Sequence, residues 1–267
     1  MASFIGTVRV PRRETMRIAT SSVRSIRKRL PRVLQWLAER KPDVVALQKI
    51  SVSEAAFPTR ALEEIGYHSA AYGPQCGEDF GVAVLNRREL PKPEVRFRGL
   101  DCPEASGARL LTVDIGQMRF SSIYAPYGNP RKYGNEQAIE RRVAWLRRLR
   151  EHVQKEGYAQ RPSLLGGDFN VVPDGRRPRP QSAYSQREQQ ELARLCELGF
   201  VDLYRRAHPD GKDGFSFGFQ WLEEGTSRLH LVLGSERLTD CLRDAWVDLD
   251  YRRESAPVIV DLDGVTA

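Results

Sequence analysis

The sequence predicts a single large α/β domain, and three observations support that fold class. The 267 residues are enough to bury a sizeable core in one domain. Short apolar runs typical of buried strands alternate with longer segments whose apolar residues recur at helical spacing. No internal repeat and no linker long enough to separate two domains interrupts this alternation.

Strands are predicted where short apolar runs are bounded by turn residues. In chain order they cover residues 17–20, 43–47, 67–72, 81–86, 110–115, 118–124, 215–219, 229–233 and 257–262. The run at 43–47, DVVAL, is typical of a strand that is covered on both faces. Gly116 and Gln117 predict a hairpin turn between the strands on either side of them.

Helices are predicted where apolar residues share one face at a period of 3.6 residues. The first begins at Ser25 or Ile26, carries apolar residues at positions 26, 30, 33, 34 and 37, and ends before Pro42. Further helices are predicted over residues 53–65, 135–155 and 186–198. Residues 173–185, which are rich in proline and arginine, are predicted to be a loop.

The most informative stretch is SLLGGDFNVVPDG at residues 163–175, where an apolar run ends in two glycines and then Asp168, Phe169 and Asn170. Alternate residues of an extended chain point the same way, so Asp168 and Asn170 should face one side while Phe169 enters the core. A carboxylate there can orient a water or hold a cation, and an amide can bind a phosphate oxygen, which suits phosphodiester chemistry. The alternative is an Asx turn after a strand, because Asp and Asn favour such turns.

The net charge of +7 and the pI of about 9.4 favour an anionic partner. Basic residues cluster at 24–32 and in the segment RRPRP just after the central motif. We therefore predict nucleic acid as the partner. The side chains predicted to contact it are Arg24, Arg27, Lys28, Arg131, Lys132, Arg176, Arg177 and Arg179. A solvated helix face is the alternative interpretation of the basic cluster at 24–32.

The sequence holds no apolar run of membrane-spanning length, and its first residues lack the apolar core and cleavage site of a signal peptide. The four cysteines are far apart and have no zinc-binding spacing. These features predict a cytoplasmic protein with reduced thiols and no membrane partner. If the protein is bacterial, it is expected to associate with the nucleoid.

Five further blocks accompany GDFN along the chain: the opening from Met16 to ALQKI, then FGVAVLNR, IYAPYGNP, SRLHLVLGS and ESAPVIVDLD. Together they resemble the endonuclease/exonuclease/phosphatase superfamily, and within it the exonuclease III and AP endonuclease branch. The resemblance covers nearly the whole chain. It implies a four-layer, DNase I-like α/β sandwich, in which two mixed sheets pack face to face with helices outside. Residues 16–267 would form that single domain, and residues 1–15 an N-terminal arm that is either loose or laid on the body.

The resemblance also implies which positions should carry the chemistry. Family members hold a divalent cation mainly with a Glu that follows Leu-Gln, and this chain has Lys49 there. The Trp-Asn pair after the first strand is replaced by Ser21 and Ser22. The family's reactive positions that differ in this chain are Ser22, Lys49, His230, Glu254 and Ser255. Those that keep the family residue are Tyr124, Asp168 and Asn170.

From these changes we predict a degenerate active site with no metal and no cofactor, in which an ion pair between Lys49 and Asp168 replaces the cation. The predicted function is a DNA-binding pseudonuclease, a monomer that binds double-stranded DNA, with DNA structure or lesions as its targets. One alternative is a DNA repair AP endonuclease or 3′–5′ exonuclease with a remodelled Mg²⁺ site. The other is a non-nuclease enzyme or scaffold on the same fold.

Overall fold

The computed structural model describes residues 15–74, 80–100, 108–128, 130–173, 185–211, 214–219 and 225–266. The strands are β1 Thr15–Ser22, β2 Val44–Gln48, β3 Tyr67–Tyr72, β4 Val82–Arg87, β5 Glu94–Gly99, β6 Leu110–Ile115, β7 Met118–Tyr124, β8 Ser163–Asp168, β9 Phe200–Asp202, β10 His230–Ser235, β11 Leu242–Val247 and β12 Val258–Asp263. The helices are α1 Ile26–Arg40, α2 Thr59–Glu64, α3 Pro130–Tyr133, α4 Asn135–Lys155, α5 Gln186–Cys196 and α6 Leu203–Ala207. In this part of the chain no helix is long and apolar enough to cross a membrane.

Two mixed six-stranded sheets form the centre of the fold. The first has the order β11-β12-β1-β2-β4-β3, and the second has the order β5-β6-β7-β8-β10-β9. Their facing sides share one apolar core, to which Ile18 and Val84 contribute from the first sheet and Phe120 and Val232 from the second. The period of two in each strand sends the neighbouring residues to the outer faces.

Helices cover both outer faces. Trp36 and Leu37 of α1 pack with Val45 and Leu47 on the back of the first sheet. Leu146 and Leu149 of α4 pack on the back of the second sheet, together with α5. The result is the predicted four-layer sandwich of helices, sheet, sheet and helices, with two mixed sheets.

Three of the departures from the prediction have recognisable reasons. Residues 215–219 form no strand, because Gly214 and Gly218 adopt positive φ and only Phe217 makes isolated bridges. The helix predicted at 53–65 is split into a 3₁₀ turn at Glu54–Ala56 and α2, because Pro58 has no N–H for a continuous helix. The strands β5, β9 and β11 were not predicted, and each is an edge strand.

The fold brings the ends of strands from both sheets to one place. Tyr124 lies beside Asp168 in the parallel pairing of β7 with β8, and His230 lies opposite Asp168 in the antiparallel pairing of β8 with β10. In the other sheet Ser22 pairs with Gln48, the residue before Lys49. Ser22, Lys49, Tyr124, Asp168 and His230 therefore come together at this end of the sandwich, in a largely buried site that we call the cleft.

Candidate functional site

Lys49 and Asp168 form a buried ion pair at the bottom of the cleft, as predicted. The Lys49 Nζ lies 2.8 Å from Asp168 Oδ2, and the exposed fraction of the two side chains is 10% and 0%. Asp168 Oδ1 also accepts a hydrogen bond of 3.1 Å from the backbone N–H of Asn170. Both oxygens of this carboxylate therefore have partners from the chain itself.

The backbone around Lys49 holds the ammonium in this position. Lys49 has a φ of +58°, in the left-handed region, at the turn that follows β2. The carbonyls of Gln48, Lys49 and Ile50 each accept a hydrogen bond, of 2.9, 2.8 and 2.9 Å, from the N–H groups of Val23, Ser25 and Ile26. The segment between β1 and α1 thereby fixes a turn that would otherwise be strained.

The two charges of the pair stabilise each other against burial. Burial would lower the pKa of Lys49, but the negative charge of Asp168 holds this pKa above its ordinary value. Burial would raise the pKa of Asp168, but the Lys49 ammonium holds this pKa below its ordinary value. Both side chains are therefore charged at neutral pH.

His230 is buried between two serine hydroxyls and is neutral. Burial lowers the pKa of His230 to about 4, against the opposing effect of Asp168. Ser216 Oγ accepts hydrogen bonds from the backbone N–H groups of Leu229 and His230, so its own proton goes to His230 Nδ1 at 3.0 Å. This assigns the ring proton to Nε2, which donates to Ser22 Oγ at 2.9 Å.

Asn170 and Tyr124 are held by contacts within the protein. One donor of the Asn170 amide bonds to the Ala125 carbonyl at 2.7 Å, and Asn170 has a φ of +49°. With the bond from its N–H to Asp168 Oδ1, this is the Asx-type turn that was the alternative interpretation of this motif. Phe169 between them is fully buried, as expected. The Tyr124 ring lies 5.2 Å from Lys49 Nζ and packs edge-on to Phe80.

Arg109 is a residue of this cleft that the sequence did not reveal. Its guanidinium carbon lies 4.6 Å from the centre of the Tyr124 ring, on a side chain that is 5% exposed. Its Nε and Nη1 have no hydrogen-bond partner among the described residues. The only sequence signal was an arginine at the start of the predicted strand at 110–115.

The residues near the C-terminus do not point at Asp168. Glu254 forms an ion pair with Arg24, and Ser255 Oγ donates to the Ser22 carbonyl at 3.3 Å. Glu254 and Ser255 therefore connect the last loop to the segment after β1.

Five of the predicted DNA-contacting residues lie in the two segments that follow β1 and β7. Arg24, Arg27 and Lys28 are exposed after the end of β1, and Arg131 and Lys132 are exposed in α3, beyond the end of β7. Of these, Arg24 is engaged with Glu254. Arg176, Arg177 and Arg179 lie outside the described residues.

The donors present do not fit a magnesium ion. Mg²⁺ needs carboxylate and water oxygens at about 2.0–2.1 Å in near-octahedral geometry. An ammonium stands 2.8 Å from the Asp168 carboxylate instead, and it would repel a cation placed there. Across the described ranges no three His, Cys, Asp or Glu side chains are grouped so that they could hold a metal ion.

Comparison with known proteins agrees with this fold. Residues 19–249 match the sequence model of the Endonuclease/Exonuclease/phosphatase family. Exodeoxyribonuclease III of Haemophilus influenzae is 28% identical over 265 residues, which are 91% of this chain and 96% of that protein.

Solved structures extend the comparison. An AP endonuclease from Archaeoglobus fulgidus superposes with a TM-score of 0.80 at 26% identity, covering 94% of this chain and all of that one. A 3′ phosphatase from Neisseria bound to product DNA hairpin superposes with a TM-score of 0.77 at 28% identity, covering 93% of this chain and 99% of that one. The chain thus shares the DNase I-like fold of proteins that are named for their action on DNA.

Proposed function

Because the chain belongs to the Endonuclease/Exonuclease/phosphatase family, with relatives in the exonuclease III and AP endonuclease branch, we propose that it binds DNA without metal-dependent cleavage of the phosphodiester. The observation that carries the proposal is the Lys49 ammonium at 2.8 Å from Asp168 Oδ2. It supplies, inside the protein, the positive charge that a hydrolase of this family takes from its metal ion. Asp168 Oδ2 faces this ammonium and Oδ1 accepts from the Asn170 N–H, so a cation placed at the carboxylate would meet the Lys49 charge.

No other described group in the cleft is placed to activate a water. Asp168 is fully buried and paired, so it is not available as a general base. His230 is neutral, but its two ring nitrogens bond to Ser216 and Ser22, and it is 1% exposed. The charged groups that remain in the cleft are cations. Cations bind phosphate oxygens, but they do not take the proton from an attacking water.

The surface around the cleft supports DNA as the ligand. Exposed basic residues follow β1, in the loop and the first turn of α1, and follow β7, in α3, and the chain carries a net charge of +7. Beside Tyr124, the buried Arg109 adds a further positive charge to this site. We propose double-stranded DNA as the ligand of a cytoplasmic monomer, because two separate basic segments suit a duplex better than a single strand.

A second candidate is a DNA repair AP endonuclease or 3′–5′ exonuclease with a remodelled site. It is favoured by the retention of Tyr124, Asp168 and Asn170 side by side and by the names of the relatives. In that case a phosphate that binds Lys49 would have to separate this lysine from Asp168. The carboxylate would then be free to act.

One experiment separates these candidates. A labelled duplex, intact or with a single abasic site, is incubated with excess protein in Mg²⁺, in Mn²⁺ and in chelator, and is run on native and denaturing gels. The proposal predicts a shifted, uncut duplex in all three buffers. Cleavage that requires a metal and disappears in Asp168→Ala would establish the remodelled enzyme, and the absence of any shift at physiological salt would contradict both.

A further inference from the structure

A second concave site lies beside the cleft, between α1 and the loop before β12. Its cavity volume is about 70 Å³, which is small for a complete small-molecule ligand, and its mouth is open to solvent. Ser21 lines it at a position where the family pattern has tryptophan, so a small side chain leaves space there. Ser22 also lines it and bonds to His230 in the cleft, so the two sites are neighbours.

Four arginines and one carboxylate line this site. The arginines are Arg24, Arg29, Arg32 and Arg253. Glu254 is the only acidic side chain of the described lining, and it is engaged by Arg24. Arg29 and Arg253 form no side-chain hydrogen bond or ion pair with the described residues, and Arg32 lies over the Tyr251 ring at 5.2 Å.

Glu254 offsets part of the repulsion among these cations, but Arg29, Arg32 and Arg253 have no ion pair of their own among the described residues. Burial, and after it the nearby charge of Arg253, lowers the pKa of the Arg29 guanidinium below its ordinary value. Charges of one sign gathered in a concave site are typical of a binding site for the opposite charge, because the ligand supplies the missing partner. The ligand is therefore expected to be an anion.

We propose that this site, lined by Arg29, Arg32 and Arg253, binds a phosphomonoester group, carried either by the end of a DNA strand or by a free nucleotide. A phosphomonoester has a charge of about −1.5 to −2 at pH 7 and three terminal oxygens, so it can accept from several guanidinium groups at once. A phosphodiester within a strand has one negative charge and two free oxygens. A carboxylate would satisfy one guanidinium in the bidentate manner and leave the others unpaired.

The position of the site agrees with this ligand. It is a half-open pocket next to the cleft, so a terminal group can enter it. The inference goes beyond the DNA binding proposed above, because a free nucleotide would occupy the site even if the protein did not bind DNA.

The test uses labelled hairpin duplexes that end in a 5′-phosphate, a 3′-phosphate or hydroxyls only. Their affinities are measured by fluorescence anisotropy in chelator, and dAMP and deoxyadenosine are titrated by calorimetry. We expect one phosphorylated end, or dAMP, to bind about tenfold more tightly than its unphosphorylated counterpart. Arg29→Ala and Arg253→Ala should each abolish that preference, while Arg60→Ala, which removes a fully solvated arginine of α2, should keep it.

The outcomes are distinguishable. A preference confined to duplexes assigns the ligand to a strand end, and binding of dAMP over deoxyadenosine assigns it to a nucleotide. Binding of dAMP that depends on the arginines, without binding of any duplex, keeps this inference and refutes the proposed DNA function. Equal affinities throughout, or a phosphate preference that survives in folded Arg29→Ala and Arg253→Ala, would overturn it. Because Arg253 is exposed, its substitution is not expected to impair folding.

Discussion

Removing one partner of the buried Lys49–Asp168 pair leaves the other charge in a dry site. We expect Lys49→Met and Asp168→Asn each to lower the free energy of unfolding by about 3 kcal/mol or more. The double variant leaves no unpaired charge. Its loss in free energy of unfolding should therefore be at least about 1 kcal/mol smaller than the sum of the two single losses. Urea denaturation of the four proteins gives this coupling energy. Arg60→Met, which breaks an exposed pair with Glu64, is the matched control and should cost less than about 0.5 kcal/mol. A coupling energy of zero would mean that the pair does not exist in solution.

Because His230 is buried and neutral, we expect the free energy of unfolding to fall in acid. Its folded-state pKa of about 4 lies below the unfolded value of about 6.5, so the unfolded chain binds more protons between these two pH values. The stability it contributes is present above pH 6.5 and is lost as the pH falls to about 4, by roughly 3 kcal/mol. His230→Gln keeps hydrogen-bonding groups but does not titrate. This variant should therefore lose less stability than the wild-type protein over the same pH range. Parallel curves for both proteins over this range would contradict the assignment of a neutral imidazole.

The lysine in the cleft was predictable from the sequence because its position is marked by the residues around it. ALQKI ends a buried strand and GGDFN ends another, and the family pattern brings those ends together. Arg109 and Ser216 were not predictable in the same way. Their roles depend on contacts between strands that are distant in sequence, Arg109 with Tyr124 and Ser216 with His230.

Among the elements, the two glycines of β8 make a matched pair for testing the packing of the sheets. A Cβ on Gly167 would lie 2.0 Å from the Ile123 carbonyl oxygen of the neighbouring strand, which cannot move without breaking the sheet. A Cβ on Gly166 would lie 3.4 Å from the Ala46 Cβ, an ordinary contact between the sheets. We expect Gly167→Ala to lower the free energy of unfolding by about 3 kcal/mol or more. Gly166→Ala should lower it by less than about 1 kcal/mol, as measured by thermal or urea unfolding. Similar costs for the two would refute the pairing of β7 with β8.

The central strands were predicted and three of the edge strands were not, for a physical reason. Central strands such as β2 and β8 are buried on both faces, so they appear in the sequence as continuous apolar runs. An edge strand such as β5, with the sequence EVRFRG, is largely exposed and carries charges, which resembles a loop. Its pairing with β6 is determined by backbone hydrogen bonds that leave no apolar pattern.

At the scale of the whole molecule, the proposed DNA complex should depend strongly on salt. If the five exposed basic side chains that follow β1 and β7 each contact a phosphate, the slope of log K against log salt is expected to be about −4 to −5. Lys28→Ala or Arg131→Ala should reduce its magnitude by about one and weaken binding similarly for different sequences. Arg60→Ala, remote from both segments in the chain, should leave the slope unchanged. A slope near zero would mean that another part of the surface, or another ligand, is involved.

The central claim is that Lys49 has taken the place of the metal ion, and equilibrium binding of Mn²⁺ tests it most directly. Calorimetric titration of the wild-type protein and of Lys49→Glu is the measurement. We expect no specific Mn²⁺ site in the wild-type protein at millimolar metal. In Lys49→Glu, where two buried carboxylates would face each other, we expect a site and a rise of the melting temperature with metal. One Mn²⁺ bound to the wild-type protein, and lost in Asp168→Ala, would contradict the account.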